Sequence, residues 1–199
     1  MSGFSRTSVV VSGFSRTGRT ISCQTHDVQT NYPRHLPGFD YLGCYQYFLT
    51  FCVDDRRPAF ENTEAVALVW TQFLRAASIE GFAVIACCFM PDHVHLVVEG
   101  LEDHSDLKRY VSKSKQLSGY AYKQRYRKRL WQRYSYEHVL RAEESTRATI
   151  AYVLENPIRA GLAESVDEYP HLLSSVYGRE ELIEYTYRSD SPAKAGRHD

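Results

Sequence analysis

Two histidines separated by one apolar residue are the feature of this chain best suited to chemistry. They are His93 and His95, in the segment F-M-P-D-H-V-H-L-V-V-E-G at residues 89–100. In a β-strand, side chains two positions apart project from the same face, so both imidazoles would lie together while Val94 faces the core. Two imidazoles on one rigid face can bind one divalent metal ion. The same pattern also occurs as an ordinary surface pair, so it does not define a catalytic site by itself.

A catalytic metal held by two histidines needs a third protein ligand and an open coordination position. No other histidine or cysteine stands in chelate spacing to the pair, which argues against a zinc enzyme. The chain also lacks the P-C-x-x-C sequence of zinc deaminases. An amide or carboxylate oxygen would suit a hard ion. With a third ligand of that kind, the expected cofactor would be Mg²⁺ or Mn²⁺.

A nucleophile cannot be chosen from composition, because the chain has 15 tyrosines. A helical tyrosine followed four residues later by an amide is a more selective pattern, since positions i and i+4 share a helix face. Two pairs have this spacing, Tyr120 with Gln124 and Tyr152 with Asn156. Either pair would place a phenol oxygen beside a metal-binding amide, and the spacing alone leaves both open.

One segment of the chain is strongly basic although the formal net charge is zero. Residues 108–133 contain ten lysines and arginines and no acidic residue, and they are interleaved with tyrosines and a tryptophan. Cations that contact phosphates and aromatic rings that stack on bases favour a surface for single-stranded nucleic acid. The predicted DNA-binding residues are Lys108, Arg109, Lys113, Lys115, Lys123, Arg125, Arg127, Lys128, Arg129 and Arg133. Arg141 and Arg159 are further candidate phosphate contacts.

Length and composition indicate one ordinary globular domain in a reducing compartment. The chain has 199 residues, of which 43% are hydrophobic and 24% charged. It contains no apolar run near the roughly 20 residues of a membrane span, and residues 1–20 do not resemble a secretory signal. The cysteines form no C-x-x-C pair, and the adjacent Cys87 and Cys88 lie in an apolar run typical of a core. We expect a cytoplasmic protein without membrane association.

Hydrophobic spacing predicts a mixture of strands and helices. Strands are expected over 45–53, 82–90 and 93–99, with a tight turn between the last two. Helices are expected from a cap at Asn62 or Thr63 to residue 80, from 105 or 106 to about 126, and over 146–155, where Pro157 should end the last one. Residues 130–140 are ambiguous, and we expect a loop with a short strand there. The order predicts an α+β, ferredoxin-like sandwich with helices packed on an antiparallel sheet.

The two ends of the chain differ from this central part. Residues 1–30 contain the repeat S-G-F-S-R-T at 2–7 and 12–17, and we expect them to form a disordered extension. Residues 31–178 are expected to form the functional domain. Residues 179–199 are polar and are expected to form a disordered tail.

Three segments together resemble a known family. They are M-P-D-H-V-H-L-V-V at 90–98, L-W-Q-R-Y at 130–134 and A-Y-V-L-E-N-P-I-R-A-G-L at 151–162. In this order and spacing they resemble the single-tyrosine HUH transposases, and most of all the REP-associated tyrosine transposases, relatives of the insertion-sequence-200 type. The stretches at 37–51 and 169–175 are also in keeping, so the likeness covers about residues 33–177.

The resemblance implies a fold, a site and an activity. The fold would be of the HUH endonuclease type, with the two histidines on a central strand. Tyr152 of the Y-x-x-x-N-P motif would be the nucleophile, Asn156 the third metal ligand, and the pair Tyr120 and Gln124 the runner-up. The activity would be metal-dependent cleavage and transfer of single-stranded or hairpin DNA through a 5′-phosphotyrosine. The protein would work at the nucleoid as a monomer or homodimer.

Other function classes remain open at this point. A DNA-hairpin-binding protein could keep the fold without turnover, and a metal-dependent phosphodiesterase could use water in place of tyrosine. A relaxase usually places its tyrosine before the histidines, whereas Tyr152 follows them. A replication initiator commonly carries a further domain, for which 199 residues leave no room.

Overall fold

The structure, a computed structural model, describes residues 39–140 and 146–187. The predicted disordered extension at 1–30 and the candidate phosphate contact Arg141 lie outside the described residues. The strands of the described part are β1 (Gln46–Val53), β2 (Phe82–Met90), β3 (His93–Gly100), β4 (Trp131–Leu140) and β5 (Leu172–Leu173). The helices of the described part are α1 (Thr63–Glu80), α2 (Leu107–Tyr126), α3 (Thr146–Leu154), α4 (Asn156–Arg159) and α5 (Arg179–Tyr187).

The strands form one antiparallel sheet in the order β4-β1-β3-β2-β5. β3 is the central strand, paired with β1 on one side and with β2 on the other. The chain order from β1 to β4 is strand, helix, strand, strand, helix, strand. This arrangement confirms the predicted α+β, ferredoxin-like sandwich, and it places both histidines on the central strand.

Two apolar clusters lie on opposite faces of the sheet. The first joins α1 and α2 to alternate residues of the strands, among them Leu49, Phe73 and Leu96. The second joins Val97 of the same central strand to Ile150 of α3 and Leu182 of α5. The sheet therefore separates a layer made of α1 and α2 from a layer made of α3 and α5.

The first two helices begin and end as predicted. The Asn62 side chain accepts hydrogen bonds from two backbone N–H groups of the first turn of α1. Gly81, with a φ of +68°, ends that helix in the left-handed conformation that glycine tolerates. Asp106 caps α2 in the same way as Asn62 caps α1.

Two predictions, for residues 130–140 and for the end of the third helix, have different outcomes. Residues 131–140 form a full ten-residue strand, β4, rather than a loop with a short strand. β4 pairs along its length with β1, and this pairing is a long-range contact that local sequence does not reveal. The predicted end of the third helix before Pro157 is confirmed to within one residue, since α3 ends at Leu154. A short helix, α4, follows it, and Pro157 sits in the first turn of α4, where its missing N–H is not needed.

The prediction of a disordered tail over 179–199 is wrong for its first nine residues, which form α5. Leu182 and Thr186, four residues apart, are both buried. Tyr185 stacks on Tyr177 at 5.1 Å between ring centroids. One buried stripe is enough to hold a polar helix against the protein. Residues 188–199 lie outside the described part.

The sequence analysis also did not predict the short edge strand β5. β5 has only two residues, which pair with Cys87 and Cys88 of β2. Ser175 anchors the chain beyond it, since its hydroxyl accepts a hydrogen bond of 2.8 Å from the Val84 N–H. Both cysteines are fully buried, which confirms their prediction as core residues. In the two described ranges, no helix combines the length and the apolar character needed to cross a membrane.

Candidate active site on the central strand

The central strand brings the two predicted metal ligands together. The Nε2 atoms of His93 and His95 lie 3.0 Å apart, and the two rings are nearly perpendicular. Val94, between them, is fully buried in the cluster on the opposite face. The strand period thus places the histidines together as the sequence predicted.

A neighbouring group occupies the other ring nitrogen of each histidine. His93 Nδ1 lies 2.6 Å from Asp92 Oδ1, and His95 Nδ1 lies 2.9 Å from Thr50 Oγ1. A histidine that donates from Nδ1 keeps the lone pair of Nε2 for a metal ion. These two contacts therefore orient both imidazoles for binding through Nε2.

The separation of the two nitrogens fits a shared ion. Two ligands at right angles on one ion, each about 2.1 Å from it, lie roughly 3.0 Å apart. The observed 3.0 Å between the Nε2 atoms agrees with this arrangement. Within residues 39–140 and 146–187, no group of three or more His, Cys, Asp or Glu side chains converges on one point.

Burial keeps His95 in its neutral form. Only 8% of the residue is exposed, and burial lowers the pKa of its imidazole well below the usual value. The nearby charges of His93, Arg159 and Arg56 act in the same direction. Neutral imidazole is the form that binds metal ions.

The candidate nucleophile lies against the same face of the sheet. The ring centroid of Tyr152, on α3, is 6.1 Å from that of His95 and 5.8 Å from that of Phe48. Phe48 in turn stacks on His95 at 5.5 Å. Tyr152 keeps 44% of its surface exposed. Its phenol is therefore positioned by the site and accessible to a large substrate.

An arginine covers the ring of the candidate nucleophile. The guanidinium carbon of Arg159 lies 4.3 Å from the ring centroid of Tyr152. The same guanidinium donates to the Tyr152 carbonyl and, at 3.1 Å, to the Glu155 carboxylate. Tyr187 of α5 donates to the other Glu155 oxygen at 3.2 Å. Three elements thus hold one positive charge on the face of the phenol.

Comparison with known proteins identifies the family of this chain. Residues 43–156, more than half of the chain, match the family described as "Transposase IS200 like". The chain belongs to this family. The assignment makes it an enzyme of the transposase type that acts on DNA, and it confirms the resemblance inferred from the three sequence segments.

Two individual proteins are similar to this member of the IS200-like family. A Haemophilus influenzae protein named as a candidate REP-associated tyrosine transposase is 24% identical over an alignment of 136 residues, and the alignment covers 63% of this chain and 77% of that protein. A solved structure of a REP-associated tyrosine transposase bound to a REP hairpin superimposes with a TM-score of 0.61. It is 21% identical, covering 72% of this chain and 81% of the other, and this likeness shows a shared fold.

Asn156 is hydrogen-bonded to the backbone of the candidate nucleophile. Its side-chain Nδ2 donates a 2.9 Å hydrogen bond to the Tyr152 carbonyl. Among the described residues, the Asn156 side chain makes no hydrogen bond to either histidine. This bond engages the amide nitrogen and leaves the amide oxygen, the atom that a hard ion would use. The role of Asn156 as third ligand remains a prediction.

Arg56 is a residue of the site that sequence reasoning missed. Its Nε lies 2.9 Å from Asp92 Oδ2, so it extends the chain of contacts that begins at His93. Burial, the largest single influence, would raise the pKa of Asp92. The hydrogen bond with His93 and the charges of His93 and Arg56 together outweigh burial and lower that pKa. Arg56 follows β1 in a 3₁₀ turn with a φ of +53°, and no spacing rule relates this position to residue 92.

The structure does not bring the runner-up pair to the histidines. Tyr120 and Gln124 lie on α2, which packs with α1 on the opposite face of the sheet. Tyr120 is 67% exposed on that side. The sheet therefore stands between this pair and the histidines of the same chain.

Five of the ten predicted DNA-binding residues form hydrogen bonds or ion pairs with other described residues of the protein. Several contact the protein itself: Arg109 and Lys113 lie beside the buried Glu80, Lys115 donates to the carbonyls of Gln132 and Arg133, Arg125 pairs with Glu64, and Arg129 pairs with Asp54. Others are exposed: Lys108, Lys123, Arg127, Lys128 and Arg133. DNA binding by these ten residues remains a prediction.

Proposed function

We propose that this protein is a metal-dependent endonuclease and strand transferase for single-stranded DNA next to a hairpin, with Tyr152 as its nucleophile. The observation that carries the proposal is the position of the Tyr152 ring, 6.1 Å from the ring of His95 on the face where the two Nε2 atoms converge. The exposed part of Tyr152 leaves room for a phosphodiester to approach. The family assignment supports chemistry on DNA.

A hairpin is the substrate form that the comparisons favour. The REP-associated transposase that shares this fold is bound to a REP hairpin. Cleavage requires an unpaired stretch next to the stem, because a backbone held in a duplex cannot bend freely into a site on a protein surface. We infer that the substrate is a DNA hairpin with single-stranded flanks, met at the nucleoid.

The covalent step exchanges one phosphate ester for another. The Tyr152 phenol oxygen attacks phosphorus, an O–P bond to tyrosine forms, and the bond from phosphorus to the 3′ oxygen breaks. The phenol proton passes to water, and the departing 3′ oxygen takes up a proton. The products are a 5′-phosphotyrosine and a free 3′-OH. Attack by the 3′-OH of another strand reverses the step and joins two ends without ATP.

The residues around Tyr152 have distinct parts in this step. Mg²⁺ or Mn²⁺, held by His93, His95 and Asn156, would supply positive charge for a non-bridging phosphate oxygen. Arg159 keeps the phenol ring in place and puts a second positive charge where the phosphate arrives. The contacts of Asp92 and Thr50 with the two Nδ1 atoms hold both imidazoles in an orientation that would leave Nε2 for the ion.

Covalent trapping tests the proposal. The wild type and Tyr152→Phe are incubated with end-labelled hairpin DNA carrying unpaired flanks, with Mn²⁺ or with EDTA, and are separated on a denaturing gel. We expect a labelled protein band in the wild type with Mn²⁺ only. Tyr120→Phe serves as the matched control and should keep the band. Loss of the band in Tyr120→Phe and not in Tyr152→Phe would contradict the assignment.

The same assay separates the other function classes. Cleavage without any protein adduct would favour a phosphodiesterase that uses water. Tight binding of the hairpin without cleavage would favour a DNA-binding protein without turnover. A binding titration against salt concentration identifies the second case, because contacts to phosphates weaken as salt rises.

A further inference from the structure

A pocket opens between the end of α2 and the chain segment that follows β1. Its volume is about 330 Å³, at the lower end of the range for small-ligand pockets of about 300–1,000 Å³. The residues that line it include Arg57, Lys128, Tyr122 and Tyr126, and none of its lining residues is acidic. Two aromatic rings and two cations around one cavity are the combination that binds a nucleotide.

The aromatic wall of the pocket is anchored in the core. Tyr122 is only 5% exposed and belongs to the cluster beneath α1 and α2. The ring of Tyr126 lies 4.5 Å from that of Tyr122 and is partly exposed. A ring held from behind by a buried neighbour gives a base a fixed surface on which to stack, at little cost in side-chain freedom.

The two cations of the pocket are available for a phosphate. Two nearby arginines already have acidic partners, since Arg125 pairs with Glu64 and Arg129 with Asp54. Within residues 39–140 and 146–187, neither Arg57 nor Lys128 pairs with an acidic side chain. The Arg57 guanidinium donates to the carbonyl of residue 129, which holds it at the pocket.

The pocket lies at the same end of the sheet as the histidines. Arg57 directly follows Arg56, which bonds Asp92, and Asp92 bonds His93. The Phe60 N–H also donates at 2.9 Å to the carbonyl of residue 91, in the turn before β3. The pocket is on the side of α1 and α2, and the histidines face α3. A strand that passes around this end of the sheet would contact both.

We infer that this pocket binds one unpaired nucleotide of the substrate strand, with the base stacked on Tyr126 and a phosphate between Arg57 and Lys128. The inference rests on the proposed function, because it assumes that DNA lies across the histidines. A base inside a duplex is already stacked and cannot enter, so the pocket selects for a single-stranded flank. It is a second binding site, separate from the metal site.

Binding measurements test this inference without any cleavage. The full chain carrying Tyr152→Phe is titrated by fluorescence anisotropy with two labelled hairpins, one blunt and one with four unpaired nucleotides on each side. Tyr126→Leu is expected to reduce affinity for the flanked hairpin about tenfold and to leave the blunt hairpin unchanged, because one base stack is lost. Tyr126→Phe, which keeps the ring, should retain the affinity of the parent protein.

A charge variant gives an independent reading. Lys128→Gln should lower the slope of log affinity against log salt by about one for the flanked hairpin only. Arg75→Gln is the matched control: it removes one exposed charge on α1 ten residues beyond the pocket-lining Ala65, about 15 Å along the helix, and should leave both slopes unchanged.

Different results would contradict nucleotide binding in the pocket and the proposed function. Equal losses for both hairpins in Tyr126→Leu, or no loss in either, would overturn the pocket. Failure of the parent protein to bind either hairpin would contradict the proposed function itself. Flank-dependent binding that the pocket variants abolish would support the pocket even if the adduct assay gave no covalent product.

Discussion

The central strand presents different chemistry to its two sides. Toward α1 and α2 it directs Val94, Leu96 and Val98, which are all fully buried in one apolar cluster. Toward α3 it directs His93 and His95, whose ring nitrogens are paired with polar neighbours. The same backbone thus carries a stabilising face and a chemical face. Mutations on the apolar face should therefore change the stability of the protein, whereas mutations on the face of the histidines should change metal binding and activity.

The largest effect is expected on the face covered by α1 and α2. Phe73 is fully buried and packs within 6.0 Å, between ring centroids, of Phe51, Phe89 and Trp131. Phe73→Ala should lower the free energy of unfolding by about 3–5 kcal/mol, because it removes a ring and leaves a cavity. Urea denaturation followed by circular dichroism measures the change. Ile79→Ala, at an exposed position of the same helix, is the control and should change stability by less than about 1 kcal/mol. A loss below about 1 kcal/mol in Phe73→Ala would contradict the stabilising role of this face.

The other face should respond in metal affinity rather than in stability. Thr50→Val removes the hydroxyl beside His95 Nδ1 and keeps the size of the side chain. We expect Mn²⁺ affinity, measured by titration calorimetry, to fall about 10–100-fold, since the imidazole loses the group that orients it. Thr71→Val on α1 alters a hydroxyl that bonds only its own helix at 2.9 Å, and should leave the affinity unchanged. Equal Mn²⁺ affinity in both variants would show that Thr50 does not orient the site.

A smaller effect is expected at the cation above the nucleophile. Arg159→Met keeps the length of the side chain and removes its charge, so the rate of adduct formation in a single turnover should fall about tenfold. Arg159→Lys should recover part of that rate, because it restores a charge without the planar fork. Arg75→Met on the opposite face is the control. An unchanged rate in Arg159→Met would remove this residue from the mechanism.

The smallest effect is a pH dependence beneath β4. Burial lowers the pKa of Lys115 from 10.5 to about 8, and its ammonium donates to two backbone carbonyls of β4. Between pH 8 and 10.5 the folded protein therefore binds fewer protons than the unfolded chain. Deprotonation of Lys115 should therefore make the free energy of unfolding increase as pH rises through this range, by at most about 1.4 kcal/mol per pH unit. This added stability is lost as pH falls through 8. Denaturation at pH 8 and 9.5 should show a smaller rise in Lys115→Met than in the wild type, and equal rises would contradict the assignment.

Sequence reasoning predicted the parts of the molecule in which local pattern decides the structure. β1 to β3, α1 and α2 have clear hydrophobic periods and capping residues, and their ends agree with the prediction to within about two residues. The pairing of His93 with His95 follows from the strand period alone. These features depend on neighbours in the chain, which the sequence displays directly.

The missed features depend on contacts between distant residues. β5 is too short to show a pattern, and it exists because β2 offers it an edge. Arg56 meets Asp92 across 36 positions, and the tail helix α5 forms because one stripe packs on the protein. The basic segment was recognisable in sequence, but only the fold shows that α2 lies on the face away from the histidines.

The break between α3 and α4 affects which residues would move together with the nucleophile. Arg159 and Asn156 both bond the carbonyl of Tyr152 itself, so the three side chains are tied to one short stretch of backbone. If this stretch packed against the histidines of another copy of the protein, the side chains of Tyr152, Asn156 and Arg159 would move there together. A mixture of two inactive variants, one altered at Tyr152 and the other at His95, would then regain activity. The first variant would supply the histidines, and the second would supply residues 152–159, which it must keep intact.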